Sequence, residues 1–484
     1  MSASAADWTL TRAVDELASG RVTAEEYARA LLDRCAEHRG LNAFISRDPA
    51  RVLEQARAAD SAGPSPARPL HGVPIAVKDN IDVAGWNTTA GTPALRGNLV
   101  RADSAVWSRL REAGAIPLGK TNMHELAYGI TGDNRCYGPV GNPAAEGRLA
   151  GGSSSGSAAA VAASLAPAGL GTDTGGSVRI PAALCGVTGF RPSTGRYPTA
   201  GVLRISHTRD TVGVLARDVA DLRLLDGVLA GEAGEQDVAA SERPAPRLVV
   251  PSTPGVGDLD PELMTVVRRG VEELRSAGWE LVESDFPPEV PELIDRTSFP
   301  VALAETPTNF RSYLSGTEEP LDLERLVASV ADPEVRELLY PLPREVPIGR
   351  TEYRRALSQR LPELERLARR TLDRHDAVAY LVPTTVLGAP GRNVSSEVLL
   401  NGRSVPTFAT YVRNTNLASL IGWPSVSIPA GRTERGLPVG FQLDARAGHD
   451  RELLDLARRC GALLSGGAVT GGEDPHIGTD VVRE

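Results

Sequence analysis

One recurring pattern constrains the fold of this chain most: a predicted helix ends at a glycine, and an apolar stretch follows directly. Residues 104–114 predict a helix with glycine at its last position, and residues 115–118 predict a strand. The same order recurs with a helix over 261–277, a glycine, and a strand over 279–282. Helices that alternate with strands are typical of an α/β fold, in which helices cover the faces of a sheet.

Other segments extend this alternation. Two apolar runs, 73–77 and 379–386, predict buried strands, and residues 353–375 predict a long charged helix. Residues 416–445 contain strand-like and turn-like pieces that glycine and proline separate.

The composition excludes several classes of protein. The net charge is −9 and no basic stripe is present, so we expect no binding to nucleic acid. No run approaches the roughly 18 apolar residues of a membrane span. The N-terminus lacks the basic and apolar regions of a signal peptide. The four cysteines form no CxxC pair, which argues against a disulfide framework or a structural zinc site. These features predict a cytoplasmic protein with reduced thiols.

The common cofactor motifs are not matched. Neither glycine-rich stretch carries the Gly-Lys-Ser/Thr end of a P-loop. Thr174 stands at the third glycine position of a dinucleotide fingerprint, and Tyr128 stands at the second histidine position of an H-E-x-x-H zinc motif. We therefore expect no metal and no organic cofactor.

A catalytic serine remains as the candidate reactive group. The residues alone do not decide which side chain acts as its base. Residues 152–156 match G-x-S-x-G around Ser154, but no good strand precedes them as Ser-His-Asp hydrolases require. The histidines that could complete such a triad are His207, His375, His449 and His476. Lys78 is the other candidate base, because desolvation can lower a lysine pKa from about 10.4 toward neutrality. The plainer interpretation of Lys78 is a surface lysine at a strand end.

Three segments in this order resemble the hallmark segments of the amidase signature family. They are GVPIAVKDNI from residue 72, GGSSSGSA from residue 151, and GTDTGGSVRIPAALCGVTGFRPSTGR from residue 171. With a further block near 414–445, the resemblance covers most of the chain. It implies an α/β fold in which helices cover both sides of a central mixed β-sheet. It also implies a hydrolase that acts on linear amide C–N bonds without a cofactor.

The resemblance and the sequence pattern together predict one amidase domain over 1–484. Its N-terminal helical segment, 1–65, would pack on the outside, and a capping box of Thr23 and Glu26 would begin one of its helices. Residues 70–215 would form the signature core. A homodimer is compatible with the resemblance, although the sequence shows no interface for one.

The resemblance also implies a Ser-Ser-Lys catalytic triad. Ser177 would be the nucleophile that forms the acyl-enzyme, and Ser153 would pass its proton to Lys78. The peptide bond before the bridging serine is cis in the family, and here it is Gly152–Ser153. Backbone N–H groups would form the oxyanion hole, those of Thr174, Gly175, Gly176 and Ser177. Three side chains would support the site, those of Ser154, Asp173 and Arg179.

Segments outside these motifs indicate the substrate class. KTNMHELAYGITGDN, YGPVGNP and GRYPTAGVLRISHTRDTVG resemble indoleacetamide hydrolases and mandelamide hydrolases, which act on primary amides of arylacetic acids. The substrate would thus be a small-molecule amide, and ammonia a product. The expected pocket residues are Met123, Leu126, Tyr128, Ile130, Phe299 and Trp423, with Phe310 and Tyr313 nearby. Two alternatives stay open, a glutamine amidase subunit of a tRNA-dependent amidotransferase and a biosynthetic acyltransferase that uses an amine in place of water.

Overall fold

The computed structural model describes residues 4–232, 245–252, 256–319, 321–394 and 396–466, so the predicted extent of 1–484 includes residues outside these ranges. The helices are α1 Leu10–Ala18, α2 Ala24–Glu37, α3 Pro49–Ala62, α4 Ala105–Glu112, α5 Ser155–Ala162, α6 Arg179–Cys185, α7 Val219–Ala230, α8 Pro261–Ser276, α9 Glu289–Asp295, α10 Ser298–Leu314, α11 Leu323–Ala328, α12 Pro333–Leu339, α13 Arg350–Arg355, α14 Leu361–Arg374, α15 Thr407–Val412, α16 Asn416–Ile421 and α17 Asp450–Gly466. The strands are β1 Phe44–Ser46, β2 Pro74–Lys78, β3 Ile116–Thr121, β4 Ala168–Asp173, β5 Thr188–Arg191, β6 Thr211–Ala216, β7 Arg247–Val250, β8 Glu280–Glu283, β9 Ala379–Pro383, β10 Glu397–Leu400, β11 Arg403–Pro406, β12 Ser425–Arg432 and β13 Pro438–Ala445.

Eleven of these strands form one mixed sheet, in the order β1-β3-β2-β4-β6-β5-β12-β13-β9-β7-β8. Two parallel groups, β3-β2-β4 and β9-β7-β8, flank a middle part in which neighbouring strands are antiparallel. Every residue of β2, β3, β4 and β6 is buried, because helices cover both faces of the sheet. The predicted α/β fold with a central mixed sheet is therefore confirmed.

Most predicted elements form near their predicted positions. The strand predicted over 73–77 is β2, and the helix predicted over 104–114 is α4. The capping box at the start of α2 is also present. The Thr23 side chain accepts a hydrogen bond from the Glu26 backbone N–H, and the Glu26 carboxylate accepts one from the Thr23 N–H.

Three elements differ from the predictions. Phe44–Ser46 lies in the segment predicted as helical but forms β1, because it pairs with the edge of β3. The helix predicted over 353–375 contains a π-helical turn, Ala356–Arg360, between α13 and α14. Residues 416–421 form α16 rather than a strand or turn, and this helix ends at Gly422 in the left-handed conformation, with φ of 71°.

The carboxyl ends of β2 and β4 lie side by side, since the two strands are parallel neighbours. The small-residue helix α5 packs against both. A side chain at Gly156 of this helix would collide with the backbone of Ala43 and Asn122, so the close packing needs glycine there. The Gly/Ser/Ala-rich stretch is thus part of the packed interior, at the sheet edge where α/β proteins bind ligands.

The apolar interior consists of three clusters. The largest fills the space between the sheet and its helices. A second lies among α10, α11 and α12, and a third among α9, α14 and α16. No helix in the described ranges is long and apolar enough to cross a membrane.

Candidate active site

Lys78 is the last residue of β2, and its side chain is fully buried. Its Nζ donates hydrogen bonds to Ser153 Oγ and to Thr172 Oγ1, both at 2.8 Å. Burial lowers the pKa of Lys78 to about 7, although the negative charges of Asp173 and Asp210 act in the opposite direction. A neutral amine at this position can accept a proton near pH 7, and the hydroxyl of Ser153 is within reach.

The segment that carries Ser153 contacts the segment that carries Ser177. The Gly152–Ser153 peptide bond is cis. The N–H of Ser154 donates to the carbonyl oxygen of Ser177 at 3.1 Å, and Ser154 Oγ lies 3.3 Å from the carbonyl oxygen of Thr172. Ser177 is 8% exposed and lines a cavity, whereas Ser153 is fully buried. The structure therefore brings together Lys78, Ser153 and the Ser177 segment at the carboxyl ends of β2 and β4.

The turn over 174–177 is fixed by hydrogen bonds that side chains of other segments donate to its carbonyl oxygens. Arg209 Nε donates to the Thr174 oxygen at 2.7 Å, and Thr415 Oγ1 donates to the Gly175 oxygen at 2.5 Å. Thr174, Gly175 and Ser177 line the cavity. Within the described ranges, no acceptor contacts the backbone N–H of Thr174, Gly175 or Ser177, which are three of the four residues expected to form the oxyanion hole. These N–H groups are therefore available to a bound oxyanion.

The backbone N–H of Gly176, which was expected in the oxyanion hole, does not face the cavity. Its N–H donates to Asp173 Oδ1 at 2.9 Å, so it is occupied and turned toward the protein interior. Its φ of 128° is favourable only for glycine, and a side chain there would collide with Thr415. Gly176 shapes the turn and does not contribute a donor to the cavity.

Asp173, the last residue of β4, is the centre of a buried ion cluster. Its Oδ1 lies 3.0 Å from Arg179 Nη2 and 3.2 Å from Arg191 Nη1, and all three side chains are fully buried. Burial opposes ionisation, but the two guanidinium groups hold the pKa of Asp173 well below its usual range. The ionised carboxylate also accepts the N–H groups of Gly176 and Val178, which fixes the turn that precedes α6.

The cavity beside Ser177 has an apolar wall and a polar one. Its apolar residues are Ala127, Tyr128, Ile130, Ile205, Phe299, Ala302, Phe408 and Val412. The polar side is formed by Thr174, Gly175 and Ser177 together with Arg209, Ser298 and Asn416. A pocket with this lining suits a small apolar ligand with a few polar atoms.

Comparison with known proteins identifies the family. The family model described as Amidase matches residues 26–454. The chain belongs to the Amidase family. It is 40% identical to a mandelamide hydrolase of Pseudomonas putida, over 95% of this chain and 92% of that protein. It is 36% identical to an indoleacetamide hydrolase of Agrobacterium vitis, over 93% of this chain and 95% of that protein. The predicted resemblance is thereby confirmed.

Solved structures of the Amidase family share this fold. A crystal structure described as an amidase superposes with a TM-score of 0.80 at 32% identity and covers 94% of this chain and 99% of its own. Native peptide amidase from Stenotrophomonas maltophilia superposes with a TM-score of 0.79 at 28% identity, over 95% and 97% of the two chains. The protein is therefore an enzyme of the amidase type, a hydrolase that acts on amide C–N bonds.

The cavity beside Ser177 is lined by some of the expected pocket residues and not by others. Tyr128, Ile130 and Phe299 line it. Three others do not. Met123 and Leu126 are fully buried and are not among the lining residues, and Trp423 lies in the cluster of α9, α14 and α16, stacked on Tyr380. Large apolar side chains fill interior space wherever packing requires them, so their type alone did not distinguish wall from core.

The two aromatic residues expected near the pocket also lie elsewhere. Phe310 is buried behind Tyr128, in an edge-to-face contact with it. The Tyr313 hydroxyl donates to Asp82 Oδ1 at 2.6 Å, at a separate cleft. Both belong to α10, which reaches the cavity only near its start, through Ser298, Phe299 and Ala302.

The Ser-His-Asp alternative finds no support in the geometry. Ser154 precedes α5, is fully buried, and uses its hydroxyl on the backbone of Thr172. The described histidines of that alternative contact other groups, His207 with Glu305, His375 with Ser284 and His449 with Glu452. His476 lies outside the described residues.

Several site residues were not predicted. Arg191 completes the cluster around Asp173, and its place inside the third hallmark segment was the one available signal. Thr172 contacts Lys78, and Phe408 and Asn416 line the cavity from helices far along the chain. Thr172 lies in the third hallmark segment, as Arg191 does, but no local pattern marks Phe408 or Asn416, because tertiary packing alone brings them to the site.

Proposed function

We propose that this enzyme hydrolyses the primary amides of arylacetic acids to the carboxylic acid and ammonia, with Ser177 as nucleophile, Ser153 as proton bridge and Lys78 as base. The observation that carries the proposal is the buried contact between Lys78 Nζ and Ser153 Oγ at 2.8 Å, beside a cavity that exposes Ser177. A lysine whose pKa is about 7 exists largely as the amine above neutral pH and can then act as a base.

Acylation begins with a proton relay. The Lys78 amine takes the proton of Ser153 Oγ while Ser153 Oγ takes the proton of Ser177 Oγ. Ser177 Oγ forms a bond to the amide carbon, and the carbonyl electrons move to oxygen, where the N–H groups of Gly175 and Ser177 meet the charge. The relay then runs in reverse and protonates the amide nitrogen, the C–N bond breaks, and ammonia leaves.

Deacylation repeats these steps with water. The relay removes a proton from a water molecule, whose oxygen attacks the acyl carbon. The bond from this carbon to Ser177 Oγ then breaks, and Ser177 regains its proton from Ser153. Every proton is supplied and recovered by the three side chains, so no further reactant is consumed.

The cavity and the relatives support the proposed substrate class. An aryl ring fits the apolar wall, with aromatic side chains from Tyr128, Phe299 and Phe408. The relatives are named for mandelamide and for indoleacetamide, which both carry an aryl group one carbon from the amide carbonyl.

The decisive experiment measures ammonia release at pH 8 from indole-3-acetamide, phenylacetamide, mandelamide, benzamide, glutamine and short aliphatic amides. We expect turnover of the arylacetamides by the wild type and a loss of at least about 10³-fold in Ser177→Ala. Full activity in Ser177→Ala would refute the nucleophile, and a preference for glutamine would refute the substrate class. Competition between hydroxylamine and water tests the acyltransferase alternative, since an acyltransferase would favour the amine.

A further inference from the structure

Three polar side chains interrupt the apolar lining of the cavity. They are Arg209, Ser298 and Asn416, contributed by the segment before β6, by the start of α10 and by the start of α16. Arg209 is 4% exposed and Ser298 is 9% exposed. Polar groups are costly to bury beside an apolar ligand unless they hold a partner. The hydrogen bonds of these side chains therefore help to decide which ligands the cavity binds.

Hydrogen bonds between these side chains define the orientation of the Asn416 amide. Arg209 Nη2 donates to Asn416 Oδ1 at 2.8 Å, and Ser298 Oγ donates to the same oxygen at 2.8 Å. A guanidinium group can only donate, so the atom that faces it must be the amide oxygen. The amide nitrogen, Nδ2, consequently points away from Arg209 and Ser298.

Arg209 is itself fixed in place. Its Nη1 donates to the backbone oxygen of Ser298 at 2.9 Å and to Ser298 Oγ at 3.0 Å, and its Nε holds the Thr174 carbonyl. Among the residues that the structure describes, no acceptor contacts Asn416 Nδ2. Asn416 is partly exposed and is one of the residues that line the cavity, so this unused donor belongs to a lining residue.

The position of this donor places it near the α-carbon of a bound arylacetamide. Arg209 touches the turn that would hold the amide oxygen, at Thr174, and its Nη2 lies against Gly175. The atom of an arylacetamide next to the carbonyl carbon is the α-carbon. A substituent on that carbon therefore lies nearest to the Arg209–Asn416 pair, while the aryl ring extends along the apolar wall.

We propose that Asn416 Nδ2 donates a hydrogen bond to an oxygen substituent on the α-carbon, so that the enzyme prefers 2-hydroxyarylacetamides to unsubstituted arylacetamides. The proposal rests on the arylacetamide hydrolase activity proposed above and narrows its substrate class. Asn416 acts here as a specificity residue. Arg209 and Ser298 position it, since both donate to its oxygen.

Mandelamide and phenylacetamide differ only in the α-hydroxyl and make the matched pair for a test. We expect the wild type to show kcat/KM at least about tenfold higher for one enantiomer of mandelamide than for phenylacetamide, since a site built to bind a hydroxyl discriminates against its absence. Asn416→Asp keeps the acceptor for Arg209 and Ser298 but replaces the donor. We expect it to lower the mandelamide to phenylacetamide ratio about tenfold and to reduce the preference between enantiomers.

Asn87→Asp is the control, because Asn87 is a partly exposed asparagine outside the cavity, and this variant should keep the wild-type ratio. Asn416→Ala serves as a second variant and should lower the ratio as well. A wild-type ratio near one, or an equal loss on both amides in Asn416→Asp, would overturn the proposal. If phenylacetamide is hydrolysed without any effect of the hydroxyl, only this inference fails. If neither amide releases ammonia, the proposed function fails and this inference fails with it.

Discussion

Two lysines lie fully buried at the ends of neighbouring parallel strands, in very different surroundings. Lys120 of β3 lies 3.1 Å from Asp79 Oδ1 and also donates to Thr88 Oγ1 and to a backbone oxygen. Lys78 of β2 contacts only hydroxyl and carbonyl oxygens, and within the described ranges no carboxylate lies within ion-pair distance of it.

The difference shows that burial alone does not decide what a lysine does. A carboxylate at 3 Å compensates the lost hydration of an ammonium group, so Lys120 and Asp79 form a structural ion pair. Lys78 has no such compensation, and burial lowers its pKa to about 7. One strand pair thus presents a structural lysine and the lysine that we propose as the catalytic base.

Replacing Lys78 should produce the largest effect. We expect Lys78→Met to lower kcat/KM on arylacetamides by about 10³- to 10⁴-fold, because the relay from Ser177 loses its final acceptor. Circular dichroism and denaturation should show a folded protein, since an uncompensated buried amine is replaced by an apolar group of similar length. Substantial turnover in a folded Lys78→Met protein would remove the distinction between the two lysines.

Replacing Lys120 should affect stability instead. We expect Lys120→Met to lower the free energy of unfolding by about 3–5 kcal/mol, because it leaves the carboxylate of Asp79 buried without its cation. Urea denaturation measures this loss. The double variant Lys120→Met with Asp79→Asn should recover most of it. Equal stability of the single and double variants would show that the pair is not coupled.

The pH dependence should report the Lys78 amine. Protonated Lys78 cannot accept a proton, so we expect kcat/KM to rise with pH through about 7 and to fall about tenfold per unit below it. Folding lowers this pKa, so between about 7 and the ordinary lysine value the unfolded chain binds more protons, and Lys78 contributes a stability that rises with pH. A flat profile from pH 5 to 8 would contradict the assignment of the base.

A matched pair of threonines gives the smallest predicted effect. Each lysine donates to one threonine hydroxyl, Lys78 to Thr172 and Lys120 to Thr88. We expect Thr172→Val and Thr88→Val each to cost about 1 kcal/mol of stability, as the loss of one buried hydrogen bond does. Only Thr172→Val should also lower kcat/KM, by severalfold. Similar kinetic losses in both variants would show that the effect is general.

The sequence predicted the framework of the site better than its walls. Helix–glycine–strand patterns located α4, β3, α8 and β8, and an apolar run located β2, since each signal depends on neighbours in the chain. The hallmark motifs pointed to Lys78, Ser153 and Ser177. The cavity wall was predicted less well, because Trp423 and Met123 are as apolar as Phe299 and Phe408, and only the packing of α10 and α15 separates wall from interior.

By itself the sequence determined the α/β alternation, the membership in the Amidase family and the order along the chain of the serines and the lysine that we propose as catalytic. Only the tertiary structure decided that Lys78 lacks a carboxylate partner while Lys120 has one, that the Gly176 N–H serves Asp173, and that Asn416 reaches the cavity. The physical reason is that a charge or a hydrogen-bond donor acquires its chemistry from the groups around it. In this protein some of those groups come from distant segments, since Thr415 and Gly175 are 240 residues apart and Arg209 and Asn416 are 207 residues apart.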